Sequence, residues 1–272
     1  MLGRRPDGFH EVETLLLALD WGDDVEVVLE DGEGIALELV DADADVPTDA
    51  SNLAWRAASA YLAAAHAAGR ALEQRVRIRL VKRVPPGAGL GGGSADAAAV
   101  LACLEAETGL LGTEALLELA AGLGSDVPFC LLPSGAATGR GRGERLTSLE
   151  SATPRDVVLL LPGTRHDTAR VYGHATLAEA HGGLASAVAA LAAGDARGLR
   201  AAHHNALLPA ALAAYPGFAA LVEDVTRRLG RAPALSGTGS TLFDLPEPGE
   251  VEDVLDRLAG LPGRVLHVRS AS

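Results

Sequence analysis

Between Pro85 and Ala98 the chain reads P-P-G-A-G-L-G-G-G-S-A-D-A-A, and the glycine and proline at its start mark a loop. Before it, Val76, Ile78 and Leu80 alternate with Arg77, Arg79 and then Lys82, which predicts a half-buried strand. After it, residues Ser94 to Glu107 are rich in Ala and Leu and open on a Ser suited to an N-cap, which predicts a helix. Glycines at 87, 89, 91, 92 and 93 therefore join a strand to the head of a helix. Lacking Cβ atoms, such a loop lets backbone N–H groups approach a ligand closely, and the helix end adds partial positive charge. A phosphate cradle needs both.

The kind of cradle can be narrowed. A Walker-type loop ends in Gly-Lys-Ser/Thr so that its Lys reaches the terminal phosphates; here Gly93 is followed by Ser94 and Ala95. The dinucleotide pattern G-x-G-x-x-G is present as Gly87, Gly89 and Gly92. Two prolines at the loop entry, a glycine tract longer than one tight turn needs and no further string of βαβ units speak against it. A plain flexible hinge is the bland alternative, although long glycine loops at a helix start usually carry function.

Pro-x-Gly-x-Gly-Leu-Gly-x-Gly-Ser before an Ala-rich helix resembles the ATP loop of the superfamily of galactokinases, homoserine kinases, mevalonate kinases and phosphomevalonate kinases. Two more segments carry the resemblance: Ser236-Gly237-Thr238-Gly239-Ser240-Thr241-Leu242-Phe243 is similar to its C-terminal glycine motif, and Gly124-Ser125-Asp126-Val127-Pro128-Phe129 to the turn bearing its catalytic Asp. Leu2-Gly3-Arg4-Arg5-Pro6-Asp7-Gly8-Phe9-His10-Glu11 resembles a signature of the CDP-methylerythritol kinase family. Ser51-Asn52-Leu53, Lys82-Arg83-Val84-Pro85 and His204-Asn205 fit the same family, in the expected order from end to end.

The resemblance implies an α+β fold, the two-domain small-molecule kinase fold of that superfamily. It also implies the activity: ATP-dependent phosphorylation of the 2-hydroxyl of a cytidine-diphosphate-linked methylerythritol in the non-mevalonate route to isoprenoid precursors, with ATP as co-substrate and Mg²⁺ accompanying it. By the same resemblance, ATP is held by Pro85, Pro86, Gly87, Ala88, Gly89, Leu90, Gly91, Gly92, Gly93, Ser94, Ala95 and Asp96, with Asn52 and Lys82 beside them. Asp126 is implied to take or orient the proton of the acceptor hydroxyl. Phe9 is implied to stack on cytosine, His10 to read its edge and Tyr172 to close the other face, with Thr168, Gly237, Thr238 and Gly239 nearby. The family pattern also has a strand with Ala-Lys-x-Asn-Leu ahead of Leu2, so the expectation is a chain shortened at its start. Two other readings stay open: a kinase of the same superfamily acting on another small alcohol, or a catalytically impaired nucleotide-binding relative.

The whole chain bounds the rest. Its 272 residues suit one large domain or two modest ones. A formal net charge of −13 argues against a nucleic-acid partner, which needs a positive stripe, yet a small phosphorylated substrate needs only a local positive pocket. Cys103 and Cys130 have no metal spacing and read as free thiols of a reduced compartment. With no apolar leader or span, the expectation is a cytoplasmic protein without membrane partners and with no protein-bound metal cage. Lys82 is the sole lysine: either a chance survivor on a strand end in an arginine-rich chain, or a small point charge and donor beside the nucleotide, where an Arg fork would be too wide.

Strands are predicted over 11–20, 24–30 and 34–40, a helix over 52–68, another over 113–123 and a glycine-interrupted hairpin over 133–149. A compositional shift at Glu150 to Arg155 sets domains of 1–150 and 151–272. Beyond it come a buried strand (157–161), Ala/Leu helices, strands into Ser236 and near Leu242, a helix over 250–259 and a last strand over 264–268. That order is a ferredoxin-like half. Arg4, Arg5, Arg83, Arg140, Arg142 and Arg145 are candidates to flank a diphosphate, set against ordinary solvated arginines. His203 and His204 lack a third metal ligand and read as an exposed helix end, and Asp126 could be a mere N-cap.

Overall fold

The computed structural model describes residues 3–4, 10–40, 46–149, 154–176 and 183–271. In chain order they form β1 (Gly3–Arg4), β2 (His10–Leu17), β3 (Asp24–Asp31), β4 (Ile35–Val40), α1 (Leu53–Ala67), β5 (Gln74–Val81), α2 (Gly92–Thr108), α3 (Thr113–Leu123) and α4 (Val127–Cys130). Then follow β6 (Ala136–Gly141), β7 (Arg145–Ser148), β8 (Asp156–Leu161), α5 (Thr168–Gly173), α6 (Gly183–Ala192), α7 (Ala196–Ala202) and α8 (Leu208–Ala214). The chain closes with α9 (Pro216–Leu229), β9 (Ala234–Leu235), β10 (Leu242–Asp244), α10 (Val251–Leu258) and β11 (Arg264–Arg269). Two compact units result: residues 1–21, 87–90 and 134–272 form the first, 22–86 and 91–133 the second. The chain thus crosses between units at the glycine run, and the shift after Glu150 falls inside the first unit.

In the second unit β5 is the middle strand, antiparallel to β3 and parallel to β4. Period-two alternation decides its faces. Val76, Ile78 and Leu80 are buried, while Arg77 and Arg79 on the other face pair with Glu30 and Glu26. The buried face joins a core with Ala54, Ala57, Ala58 and Tyr61 of α1 and Ala97, Val100, Leu101 and Leu104 of α2. Alanine at the α1–α2 contact lets the two backbones approach, and each buried Val or Leu contributes about 1.5–3 kcal/mol. Tyr61 keeps its hydroxyl satisfied on Glu105 Oε2 (2.7 Å) and Thr108 Oγ1 (2.6 Å). Asn52 caps α1: its Oδ1 accepts from Ala54 N–H at 2.8 Å and its Nδ2 donates to Pro47 O at 2.8 Å.

The first unit holds two four-stranded sheets, β1-β2-β6-β7 and β11-β8-β10-β9. In the latter, β10 is antiparallel to both β8 and β9, and β11 is antiparallel to β8. This split β-α-β arrangement is the ferredoxin-like order. The continuous apolar run of β8 has a simple cause, since both of its faces are covered. Val158 and Leu160 enter a core with α8, α9 and α10; Val157, Leu159 and Leu161 enter another with Leu15 and Leu17 of β2 and Leu191 of α6. Among the described residues no helix is long and apolar enough to cross a membrane.

Candidate active site

The glycine run is fixed residue by residue. Gly87 O accepts from His166 N–H at 3.1 Å, Ala88 O from Thr241 N–H at 3.0 Å, and Gly89 O from Ser236 Oγ at 2.8 Å. Residues 87–90 therefore lie along the 236–241 turn, within the first unit. Only glycine fits at 89, where φ is +78° and a Cβ would stand 2.5 Å from Ser236 O and 2.6 Å from Gly239 O. Gly91, at φ 69°, is the N-cap of α2, so the helix begins at Gly92, two residues before the Ser94 start read from the sequence. The left-handed turn at Gly91 sets that start, and propensity hides it because Gly92 and Gly93 are poor helix formers. Ser94 sits in the first turn instead of capping it. The N-cap makes no side-chain hydrogen bond, which leaves the leading N–H groups of α2 to an anion.

Behind that helix head lies a buried ion cluster. Lys82 Nζ is bonded to Asp23 Oδ2 and, at 2.7 Å, to Asp96 Oδ2. Asp23 Oδ1 accepts from Arg83 N–H (2.5 Å) and Val84 N–H (2.8 Å). The loop entry and the first turns of α2 are thus tied together by the chain's single lysine. A Cβ at Gly92 would meet Val84 Cβ at 2.9 Å, so the two ends also pack tightly.

Asp126 stands at the N-cap position of α4, which packs on α2, but its side chain makes no capping bond. Asp126 as a residue is exposed, and the protein packed around its carboxyl displaces water from it and raises its pKa above the ordinary aspartate value. A carboxylate left uncapped and made more basic is suited to accept a proton. Burial pushes the Cys130 thiol up to about 12, with Asp126 and Asp96 adding to the effect; Cys130 therefore stays a neutral thiol.

The first unit gathers the residues expected around the second substrate. His10 and Tyr172 stack with centroids 5.0 Å apart and planes at 22°. Thr168 Oγ1 and Thr238 Oγ1 lie 3.3 Å apart. Phe9 falls outside the described residues. Two positioning groups escaped the site read from sequence. His166, 4 % exposed, holds Thr238 O through Nδ1 at 2.9 Å and stacks on Tyr215 at 4.0 Å. Asn205 donates to Leu235 O (2.9 Å) and Gly237 O (2.8 Å). Asn205 had a signal in the His204-Asn205 match; His166 had none, because its partner lies 72 residues away.

Among the other candidates, Arg83 pairs with Asp24, Arg140 with Glu13 and Arg145 with Glu11, and the side chains of Arg4 and Arg5 lie outside the described residues. His203 is half-buried, edge-on to Phe243 at 5.3 Å, rather than an exposed helix end; His204 is exposed. Both cysteines are free. No group of three or more His, Cys, Asp or Glu residues among the described residues could hold a metal ion.

Residues 52–134, which span the glycine run and Asp126, match the family described as GHMP kinases N terminal domain. The chain is 35 % identical over 272 residues to a 4-diphosphocytidyl-2-C-methyl-D-erythritol kinase of Shouchella clausii, covering 99 % of this chain and 89 % of that protein. A crystal structure of 4-(cytidine 5'-diphospho)-2C-methyl-D-erythritol kinase aligns with 34 % identity and a TM-score of 0.78, over 100 % of this chain and 94 % of the other. Homoserine kinase from Cytophaga hutchinsonii shares the fold at 20 % identity, TM-score 0.71, over 94 % and 88 % of the two chains. With the α+β fold, the uncapped helix head and the uncapped Asp126 in place, the chain belongs to the 4-diphosphocytidyl-2-C-methyl-D-erythritol kinase family of ATP-dependent small-molecule kinases.

Proposed function

We propose that the protein transfers the γ-phosphoryl group of ATP to the 2-hydroxyl of 4-diphosphocytidyl-2-C-methyl-D-erythritol, a step of isoprenoid precursor synthesis. The observation that carries this reading is the near-full-length likeness to kinases bearing that name. The N–H groups leading α2 and the glycine run hold the phosphates. Asp126 accepts the acceptor proton as the new oxygen–phosphorus bond forms and the bond to ADP breaks, so that ADP leaves. Its raised proton affinity favours that role over an ordinary aspartate's. Most of the acceleration then comes from position and electrostatics, as is general in phosphoryl transfer.

Mg²⁺ would take most of its ligands from phosphate and water, and Ser94, in the first turn of α2, would offer it a hydroxyl oxygen. When bound, the ion neutralises charge on the transferred group. On the acceptor side, Tyr172 stacks on the cytosine ring, the part also expected of Phe9, His10 reads its edge, and Thr168 with Gly237, Thr238 and Gly239 lines the neighbouring wall. Stacking of one base on an aromatic ring is worth about 1–3 kcal/mol, enough to make the cytidine handle a specificity element. A coupled ADP-release assay with a panel of acceptors tests the reading. Turnover with the cytidine-diphosphate substrate supports it, and turnover only with homoserine or mevalonate would overturn it.

A further inference from the structure

One imidazole ties the glycine run to the turn that lines the proposed acceptor wall. His166 follows β8, precedes α5 and is 4 % exposed. Its backbone N–H donates to Gly87 O at 3.1 Å, and its ring meets Thr238 O through Nδ1 at 2.9 Å. Gly239 lies against the same ring: a Cβ there would stand 2.5 Å from Nδ1, at a φ of +86°. Just along the chain, Thr168 Oγ1 reaches Thr238 Oγ1 at 3.3 Å. All of these residues belong to the first unit.

The ring's proton has one place. A carbonyl only accepts, so the nitrogen facing Thr238 O must be the donor. Among the described residues Nε2 is buried with no hydrogen-bond partner, where a lone pair is tolerated better than an orphaned N–H. The imidazole is therefore neutral and protonated on Nδ1. Burial lowers its pKa in keeping with this; the Thr238 carbonyl opposes the shift and Arg170 adds to it. Aromatic neighbours fix the ring from its other sides. Tyr215 stacks on it at 4.0 Å with planes at 4°, and Phe218 of α9 meets it edge-on at 4.8 Å. The Tyr215 hydroxyl in turn accepts from Asp167 N–H at 2.7 Å. A donor locked in this way sets where the 237–239 turn lies.

We propose that His166, in its Nδ1–H form, is a positioning residue that sets affinity for the acceptor and not for ATP. The inference rests on the acceptor half of the proposed function. The division follows from which atoms are used. The bond to Gly87 O, on the nucleotide side, comes from the backbone and survives a change of side chain. The bond to Thr238 O, on the acceptor side, comes from the ring. Removing the ring donor strips a buried residue's carbonyl of that partner and releases the 237–239 wall from its tie to the glycine run.

Two variants separate the donor from the stack. His166→Phe keeps an aromatic ring on Tyr215 and loses the donor. His166→Asn loses the ring, but its Nδ2 is carried on Cγ as Nδ1 is, and so restores the donor. Steady-state kinetics of the full chain with ATP, Mg²⁺ and 4-diphosphocytidyl-2-C-methyl-D-erythritol gives the two KM values separately. His166→Phe should raise KM for the cytidine substrate about tenfold, the worth of a buried hydrogen bond whose acceptor is left unpaired. Its KM for ATP should stay within about twofold of the parent's. His166→Asn should recover most of the acceptor KM, even though loss of the stack lowers its melting temperature. An acceptor KM equal in parent and His166→Phe, an equal rise in both variants, or a parallel rise in KM for ATP overturns this inference alone. A parent that does not phosphorylate the cytidine substrate overturns the functional reading with it. Should the variants fail to fold, nitrogen NMR of the parent's imidazole decides. A proton on Nδ1 whose resonance moves when the cytidine substrate is added supports the assignment; a proton on Nε2, or an Nδ1–H unmoved by that substrate, refutes it.

Discussion

Gly89→Ala is the sharpest perturbation of the phosphate loop. The new methyl would stand 2.5 Å from Ser236 O and 2.6 Å from Gly239 O, both backbone atoms, at a φ of +78°. Holding a non-glycine residue in the left-handed region costs on the order of 1–2 kcal/mol, and overpacking without a flexible neighbour to yield adds about 1–3 kcal/mol. The backbone can relieve part of this by moving away from the 236–241 turn, which sacrifices the bond from Ser236 Oγ to Gly89 O. A net loss of about 2–4 kcal/mol corresponds to roughly 4–16 °C in melting temperature for a chain of this size. The same displacement moves the entry to α2, so nucleotide affinity should fall by at least tenfold. Differential scanning calorimetry and nucleotide titration read the two effects. A Gly89→Ala protein with the parent's melting temperature and ATP affinity would show that the close approach of the two turns does not shape the site.

Asp126→Asn should leave ATP affinity nearly intact while lowering kcat by about 10²–10⁴, the usual worth of a general base. Because its raised pKa must be exceeded for the base to be ionised, kcat should fall as pH drops through a value above the ordinary aspartate pKa of about 3.9; an acid limb at or below that value contradicts the assignment. Tyr172→Ala, which also removes the stack on His10, should weaken binding of the cytidine substrate by roughly 1–3 kcal/mol, with ATP affinity unchanged in parallel titrations. Asn52→Ala removes the cap of α1 and strands the Pro47 carbonyl, for a loss of about 1–2 kcal/mol in urea unfolding; an unchanged midpoint would deny the cap its role.

The parts of the site that rest on local pattern were readable in the sequence. The glycine run, the Gly-Ser-Asp turn and the 236–243 motif are contiguous, and the strands and helices flanking them follow from periodicity. The covered faces of β8 were likewise visible as an unbroken apolar run. The contacts that escaped have long sequence separation. Asp23 meets Lys82 across 59 residues and His166 meets Thr238 across 72, distances at which no pattern in one chain signals contact. Lys82 was conspicuous as the sole lysine, but its partners were invisible, and a donor facing solvent reads the same as one clamped by two carboxylates. The return of residues 87–90 to the first unit was hidden for the same reason, since four residues cannot announce which core they join.

The identity of the phosphorylated oxygen is read from the structure of the product. Incubation of the protein with ATP, Mg²⁺ and 4-diphosphocytidyl-2-C-methyl-D-erythritol, followed by phosphorus NMR, distinguishes the site of transfer. The 2-carbon bears a methyl group and no hydrogen, so a monophosphate on its oxygen gives a new resonance without three-bond coupling to a proton. Appearance of that uncoupled signal with one ADP released per product, and its loss in Asp126→Asn, is the expected outcome. A proton-coupled monophosphate signal, or ADP release with no new phosphomonoester, would refute transfer to the 2-hydroxyl.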